Sequence, residues 1–157
     1  MQVIFQGAEG AGTAPRISAL MLRHPAELEL SMTLDIQQRA VAPEKVWEMM
    51  AAIDIAMLVT TNSSGEGLNG RPMSTISRAE RGVIYILTEA NSSAAQDVQA
   101  DGAVFLSYQG RGDHIALQAK ASVNPDGVLV QSLWSPGAEV FWPNGPEAHD
   151  VVVLEID

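Results

Sequence analysis

One arginine and three hydroxyl side chains lie at or next to the ends of two neighbouring predicted strands. Thr88, Ser92 and Ser93 follow the apolar run at residues 83–88 and precede a helical pattern, while Arg71 opens the strand before that run. A helix N-terminus offers free N–H groups and positive potential, and arginine holds a phosphate through two N–H groups. These residues form a candidate phosphate site, although capped helices and surface arginines are also common in proteins that bind no phosphate.

Other kinds of chemical site find little support in the sequence. The histidines, His24, His114 and His149, stand at no spacing typical of zinc ligands, and the chain has no cysteine. There is no P-loop, no G-x-S-x-G motif of a serine hydrolase and no glycine-rich fingerprint between a strand and a helix. We therefore expect no metal site, and no catalytic residue can be assigned.

Length and charge narrow the range of functions. A chain of 157 residues with 46% hydrophobic residues suits one packed domain. The formal net charge of −10 disfavours binding to nucleic acid and to anionic membrane surfaces. Because neither a long apolar run nor a secretory signal is found, we expect a cytoplasmic protein that does not enter a membrane.

The chain divides into an arm and a domain. Residues 1–40 contain short apolar runs separated by Pro25, so we expect a poorly ordered N-terminal arm that need not be native, with Met32 as an alternative start. Residues 41–157 carry the regular patterns and form the expected domain.

Strands and helices can be predicted within this domain from the spacing of apolar residues and from turn residues. About six strands are predicted, at residues 55–61, 71–77, 83–88, 103–108, 114–123 and 151–156. Short helices are predicted from Pro43, over residues 91–100 and over residues 128–133. In the second helix, Ser92 or Ser93 is the expected N-cap, with Gln96 in a capping box with Ser93. The short connections favour a mainly β protein with a closed or nearly closed antiparallel barrel.

The order of these segments resembles that of a known family. Arg71-Pro72-Met73 lies in the second strand, and two tryptophan-proline segments lie at residues 133–136 and 141–146. Over about residues 43–156 the chain resembles the general stress protein branch of the pyridoxamine 5′-phosphate oxidase-like superfamily. The resemblance implies an FMN-binding split β-barrel of about six antiparallel strands, a homodimer with FMN at the subunit interface, and a small-molecule substrate.

The resemblance also implies the residues that bind the cofactor. The implied contacts with the flavin phosphate come from Arg71, Thr88, Ser92 and Ser93. The implied contacts with the isoalloxazine ring come from Met73, Ser74, Thr75 and Leu87, and from Trp134 and Trp142, which would cover the ring from the partner subunit.

Two positions depart from the family pattern. The lysine that the family has at the helix start falls at Ala94 here, and Lys120 stands where the family often has a glycine. A charged hydrogen bond contributes about 1.5–3 kcal/mol, so the missing lysine predicts an FMN affinity lower by about one to two orders of magnitude. Lys120 either compensates for the missing cation or blocks the pocket.

Three functions remain open at this point. The first is an FMN-dependent small-molecule oxidoreductase linked to the stress response. The second is a non-catalytic dimeric binding or scaffold protein with weakened or lost flavin binding, which Ala94 favours. The third is a barrel that has changed its ligand to haem or a deazaflavin, for which His114 is the candidate axial ligand.

Overall fold

The computed structural model describes residues 2–7, 42–110, 112–147 and 150–157. The strands in these ranges are β1 (Gln2–Gly7), β2 (Ile55–Thr61), β3 (Leu68–Ser74), β4 (Ile76–Arg78), β5 (Val83–Glu89), β6 (Ala103–Gln109), β7 (Asp113–Asn124) and β8 (Val151–Ile156). The α-helices are α1 (Pro43–Ile53), α2 (Ser93–Ala100), α3 (Gly127–Leu133) and α4 (Pro136–Glu139), and a 3-10 turn lies at Ala79–Arg81.

The strands form one curled antiparallel sheet in the order β3-β2-β6-β7-β8-β5-β4, with β1 paired to β7. Strand β7 is 12 residues long, so its first half pairs with β1 and its last four residues pair with β8. Consecutive strands β3 and β4 thus lie at opposite ends of the sheet, joined at Thr75. The mainly β, split-barrel prediction is confirmed.

The described residues contain two more strands than the predicted six. One is β1, which lies within the segment expected as an arm. The other arises because the strand predicted at residues 71–77 breaks at Thr75, whose backbone N–H donates to the Asp54 carbonyl at 2.7 Å rather than to a neighbouring strand. The rest of the arm, with His24 and Met32, lies outside the described residues, so its poor order stays a prediction. His149 also lies outside the described residues.

The helices begin and end close to the predicted positions. The N-cap of α2 is Ser92, whose Oγ accepts a hydrogen bond from Ala95 N at 3.1 Å. The predicted capping box between Ser93 and Gln96 is wrong, because with Ser92 as cap Gln96 falls one residue too late. Its side chain donates instead to the Asn91 carbonyl at 2.9 Å. None of the helices in the described ranges is both long and apolar enough to cross a membrane.

Two hydrophobic clusters fill the domain. The larger lies between the inner face of the sheet and helices α1 and α2, with Met50, Leu58 and Leu106 fully buried. The smaller lies between β5, β8 and α3, and partly buried Trp134 and Trp142 pack against it. Because both faces of β8 are covered, Val151, Val152, Val153 and Leu154 are all buried. The second cluster therefore fixes the C-terminal segment against the end of β5.

Candidate functional site

A pocket of about 630 Å³ opens at the corner where β3 passes into β4. One wall comes from the corner itself, a second from the end of β5 and the start of α2, and a third from the C-terminal segment around α4. The lining residues are Asp54, Pro72, Met73, Ser74, Thr75, Ile76, Leu87, Thr88, Glu89, Ser92, Ser135, Gly137, Ala138, Phe141 and Trp142.

The structure brings together seven of the ten residues expected to bind a cofactor: Met73, Ser74, Thr75, Leu87, Thr88, Ser92 and Trp142. The other three, Arg71, Ser93 and Trp134, do not line this pocket. The role of these residues in binding a cofactor stays a prediction.

The corner is shaped by hydrogen bonds from Thr75 to the loop after α1. Both the backbone N–H and the Oγ1 hydroxyl of Thr75 donate to the Asp54 carbonyl, at 2.7 and 3.2 Å. Asp54 ends α1 in the left-handed conformation, with φ of 54°. The alternation of β3 leaves Ser74 exposed while Met73 packs against the larger core cluster. The pocket wall therefore rests on a well-packed part of the sheet.

A pair of hydroxyl groups lies at the start of α2. Thr88 Oγ1 donates to Ser92 Oγ at 3.0 Å, and Ser92 Oγ also accepts from Ala95 N at 3.1 Å. A serine hydroxyl has one hydrogen to donate in addition to what it accepts. The hydroxyl hydrogen of Ser92 thus remains available to a ligand in the pocket.

The C-terminal wall is aromatic. The Trp142 ring lies with its centroid 6.0 Å from that of Trp134 and 6.0 Å from that of Phe141, in tilted contacts. Trp142 lines the pocket of its own chain, and Trp134 lies behind it. The Trp134 Nε1 is buried without a hydrogen-bond partner in the described part of the chain. This wall provides a broad apolar surface for a flat ligand.

Arg71 is held by a buried carboxylate that the sequence analysis did not single out. Its Nη2 donates to Asp97 Oδ2 at 2.7 Å and to Thr60 Oγ1 at 3.0 Å, and its Nη1 donates to Ser93 Oγ at 3.2 Å. The Asp97 side chain is 2% exposed and that of Arg71 is 18% exposed. The positive charge expected to hold a phosphate is therefore neutralised inside the chain.

Asp97 remains ionised although it is buried. Burial alone would raise its pKa, but hydrogen bonds from Asn69, Arg71, Thr60 and the backbone of Ser63 outweigh this effect and hold the pKa well below its usual range. Three of these four bonds are 2.8 Å long and that from Arg71 is 2.7 Å long. The carboxylate and the guanidinium are thus a fixed ion pair.

A sequence signal for this ion pair does exist. Asp97 stands three residues after Ala94 and directly before Val98, and both of those residues are buried. At helical spacing, an acid between two core positions must face the interior. An ionised side chain there requires a partner.

Magnitudes indicate that Arg71 stays with Asp97. Removing one partner of a buried ion pair costs about 3–5 kcal/mol. A charged hydrogen bond to a ligand contributes only about 1.5–3 kcal/mol. Turning the guanidinium towards a phosphate would therefore cost more than it contributes.

The other described positions considered for a cation or a metal ligand do not line the pocket. Ala94 is 2% exposed and packs in the larger core cluster. Lys120 and His114 are exposed on β7 and do not line the pocket of their own chain, so the roles considered for them stay predictions. In the described ranges, no group of three or more acidic or histidine side chains is placed to hold a metal ion.

Solved structures share this fold at low sequence identity. A general stress FMN/FAD-binding protein from Xanthomonas citri is 19% identical with a TM-score of 0.64, covering 73% of this chain and 82% of that one. A protein related to general stress protein 26 from Clostridium acetobutylicum is 16% identical with a TM-score of 0.63, covering 74% and 84%. General stress protein 26 from Bacillus anthracis is 21% identical with a TM-score of 0.59, covering 71% and 88%.

The sequence itself is assigned by a family model. None of the curated proteins matches the chain. Residues 42–157, which include every described strand except β1, match the family described as pyridoxamine 5′-phosphate oxidase like. The chain therefore belongs to the pyridoxamine 5′-phosphate oxidase-like family.

Proposed function

We propose that this protein binds a flavin in the pocket at the β3–β4 corner and functions in the cytoplasm as a small-molecule oxidoreductase linked to the stress response. The observation that carries the proposal is the composition of the pocket. Met73, Leu87 and Trp142 provide apolar walls, while Thr88 and Ser92 place hydroxyls at one end. Its volume of about 630 Å³ suits a cofactor.

The walls fit the two chemically distinct parts of a flavin. The apolar and aromatic side chains suit the isoalloxazine ring, and the hydroxyls suit the polar ribityl chain. A bound flavin supplies the electron transfer, while the chain binds and orients the ring and keeps water from it. FMN is the form that the family resemblance implies. The Xanthomonas citri structure, described as an FMN/FAD-binding general stress protein, supports a flavin as the cofactor.

We also propose that the protein is a homodimer. The outer face of β2, β3 and β6 exposes Ile55, Met57, Leu68 and Phe105, which are 52%, 43%, 73% and 36% exposed. Register places Ile55 opposite Ser74, a pocket residue, so this apolar outer face borders the pocket. A continuous apolar face of this kind is typical of a surface that a partner covers. A second copy of the chain is the partner we propose.

A second candidate function is a non-catalytic dimer that binds flavin weakly. The Arg71–Asp97 pair and the alanine at position 94 favour it, because both remove positive charge from the expected phosphate site. Oxidation of a reduced nicotinamide cofactor with a quinone as acceptor, assayed with added FMN, separates the two. Turnover supports the oxidoreductase, whereas binding without turnover supports the second candidate.

The binding proposal is tested directly by titrating FMN with the purified protein and recording flavin fluorescence. Quenching that saturates at micromolar protein supports a flavin site. If no quenching develops up to high micromolar concentrations, the proposal is wrong.

Truncating Leu87 to alanine is expected to weaken flavin binding about 5- to 30-fold, since burial of such a side chain against a ligand contributes about 1–2 kcal/mol. Fluorescence titration measures the change. Val83→Ala is the matched control, because Val83 lies on the same strand, packs against the same cluster and does not line the pocket. Equal losses in both variants would place the flavin elsewhere.

A further inference from the structure

We infer that the pocket recognises a flavin by its ring and ribityl chain and gains no affinity from the 5′-phosphate, so that riboflavin binds about as tightly as FMN. The inference rests on the proposed function and specifies the ligand of the same pocket. Four features of the structure support it.

The first feature is the charge of the pocket lining. Of the described residues that line the pocket, Asp54 and Glu89 are acidic and none is a lysine or an arginine. Glu89 follows Thr88 at the end of β5, and its side chain is exposed where the strand reaches the pocket. A phosphate carries negative charge, and repulsion between like charges at short range opposes its binding.

The second feature is the state of Arg71. All three of its hydrogen bonds in the described structure go to Asp97, Thr60 and Ser93. The carboxylate cancels the charge of the guanidinium, and Arg71 does not line the pocket. The arginine that the family resemblance assigns to the phosphate therefore has three of its five N–H groups occupied within the chain and its charge offset by Asp97.

The third feature is the start of α2, where two of the N–H groups are already bonded within the chain. Ser92 N donates to the Glu89 carbonyl at 3.0 Å, and Ala95 N donates to Ser92 Oγ at 3.1 Å. Ala94 is buried in the core and brings no charge to this helix start. The positive end of the helix is thus only partly available to an anion.

The fourth feature is what remains at this end of the pocket. The hydroxyls of Thr88 and Ser92 are uncharged donors and acceptors. Such groups pair equally well with the hydroxyls of a ribityl chain. The chemistry of this end of the pocket therefore favours a neutral polyol over a phosphate ester.

Parallel fluorescence titrations of the wild-type protein with FMN and riboflavin test the inference. We expect dissociation constants that agree within about fivefold and an FMN affinity that does not fall as salt is added, since no ion pair with the phosphate has to be screened. FMN binding more than about fivefold tighter than riboflavin would overturn the inference and leave the proposed flavin site standing. If neither flavin binds, the proposed function itself is wrong.

A charge-reversal variant provides an independent readout. Glu89→Lys places a cation on the pocket lining next to the end of β5, and we expect it to make the FMN dissociation constant about tenfold lower relative to that of riboflavin. Glu66→Lys makes the same change of charge in the exposed β2–β3 loop, away from the pocket, and is expected to leave the ratio unchanged. The ratio of the FMN and riboflavin dissociation constants could be the same in Glu89→Lys as in the wild type. That result would show that this end of the pocket does not face the phosphate position, and would overturn the inference.

Discussion

Replacing Arg71 by methionine is expected to lower the free energy of unfolding by about 3–5 kcal/mol. The variant removes the cation but leaves Asp97, whose side chain is 2% exposed, as an uncompensated buried carboxylate. The neutral donors Thr60, Asn69 and the Ser63 amide remain, but none carries a compensating charge. Urea unfolding at neutral pH, followed by tryptophan fluorescence, measures the change.

Arg81→Met is the matched control for this effect. Arg81 is an exposed arginine whose guanidinium lies 5.7 Å from the Tyr85 ring centre, a contact expected to contribute about 0.5–1 kcal/mol. The double variant Arg71→Met/Asp97→Asn is expected to recover part of the lost stability, because it removes both charges and keeps an amide oxygen that accepts from the donors around position 97. If Arg71→Met is no more destabilising than Arg81→Met, the ion pair contributes little to the fold.

The same ion pair sets the sign of the pH dependence. The pKa of Asp97 is lower in the folded protein than its ordinary value of 3.8, so its stabilising contribution is present above that value. The contribution is lost as the pH falls from about 4 towards the folded-state pKa, because the unfolded chain takes up the proton first. In Asp97→Asn this part of the acid-induced loss should be missing from unfolding curves recorded between about pH 5 and pH 2.

A glutamate in place of Met57 is expected to convert the proposed dimer into a monomer at micromolar concentration. Met57 lies opposite Pro72 on β3 and Ser107 on β6, near the middle of the apolar outer face. In a two-fold symmetric interface the substitution buries two carboxylates without partners. A loss of about 2–5 kcal/mol weakens the dimer about 30- to 4,000-fold. Sedimentation velocity or light scattering after gel filtration measures the mass.

Val128→Glu serves as the control for this experiment. Val128 is 75% exposed, more than Met57, but lies on α3, away from the apolar outer face. We expect Val128→Glu to remain dimeric at the same concentration. A wild-type protein that is monomeric throughout would contradict the dimer proposal, and a dimeric Met57→Glu would move the interface to another surface.

Local patterns in the sequence determined most of the elements. Apolar runs predicted β2, β5 and β8, and apolar residues at helical spacing predicted α1. Such elements can be predicted from the order of the residues because side-chain direction repeats with a fixed period in each kind of element. The Arg71-Pro72-Met73 step and the late tryptophan segments likewise identified the family, which the match over residues 42–157 confirms. These features need no knowledge of which distant residues meet.

The tertiary structure alone decided the partners of individual side chains. Arg71 could be placed on its strand from the sequence, but its partner Asp97 lies 26 residues further along and meets it only when α2 packs against the sheet. The break at Thr75 likewise depends on the Asp54 carbonyl, 21 residues earlier. Periodicity specifies which face a residue occupies, whereas charge neutralisation at a site depends on contacts across the fold. For this reason the fold followed from the sequence, and the pairing of Arg71 with Asp97 did not.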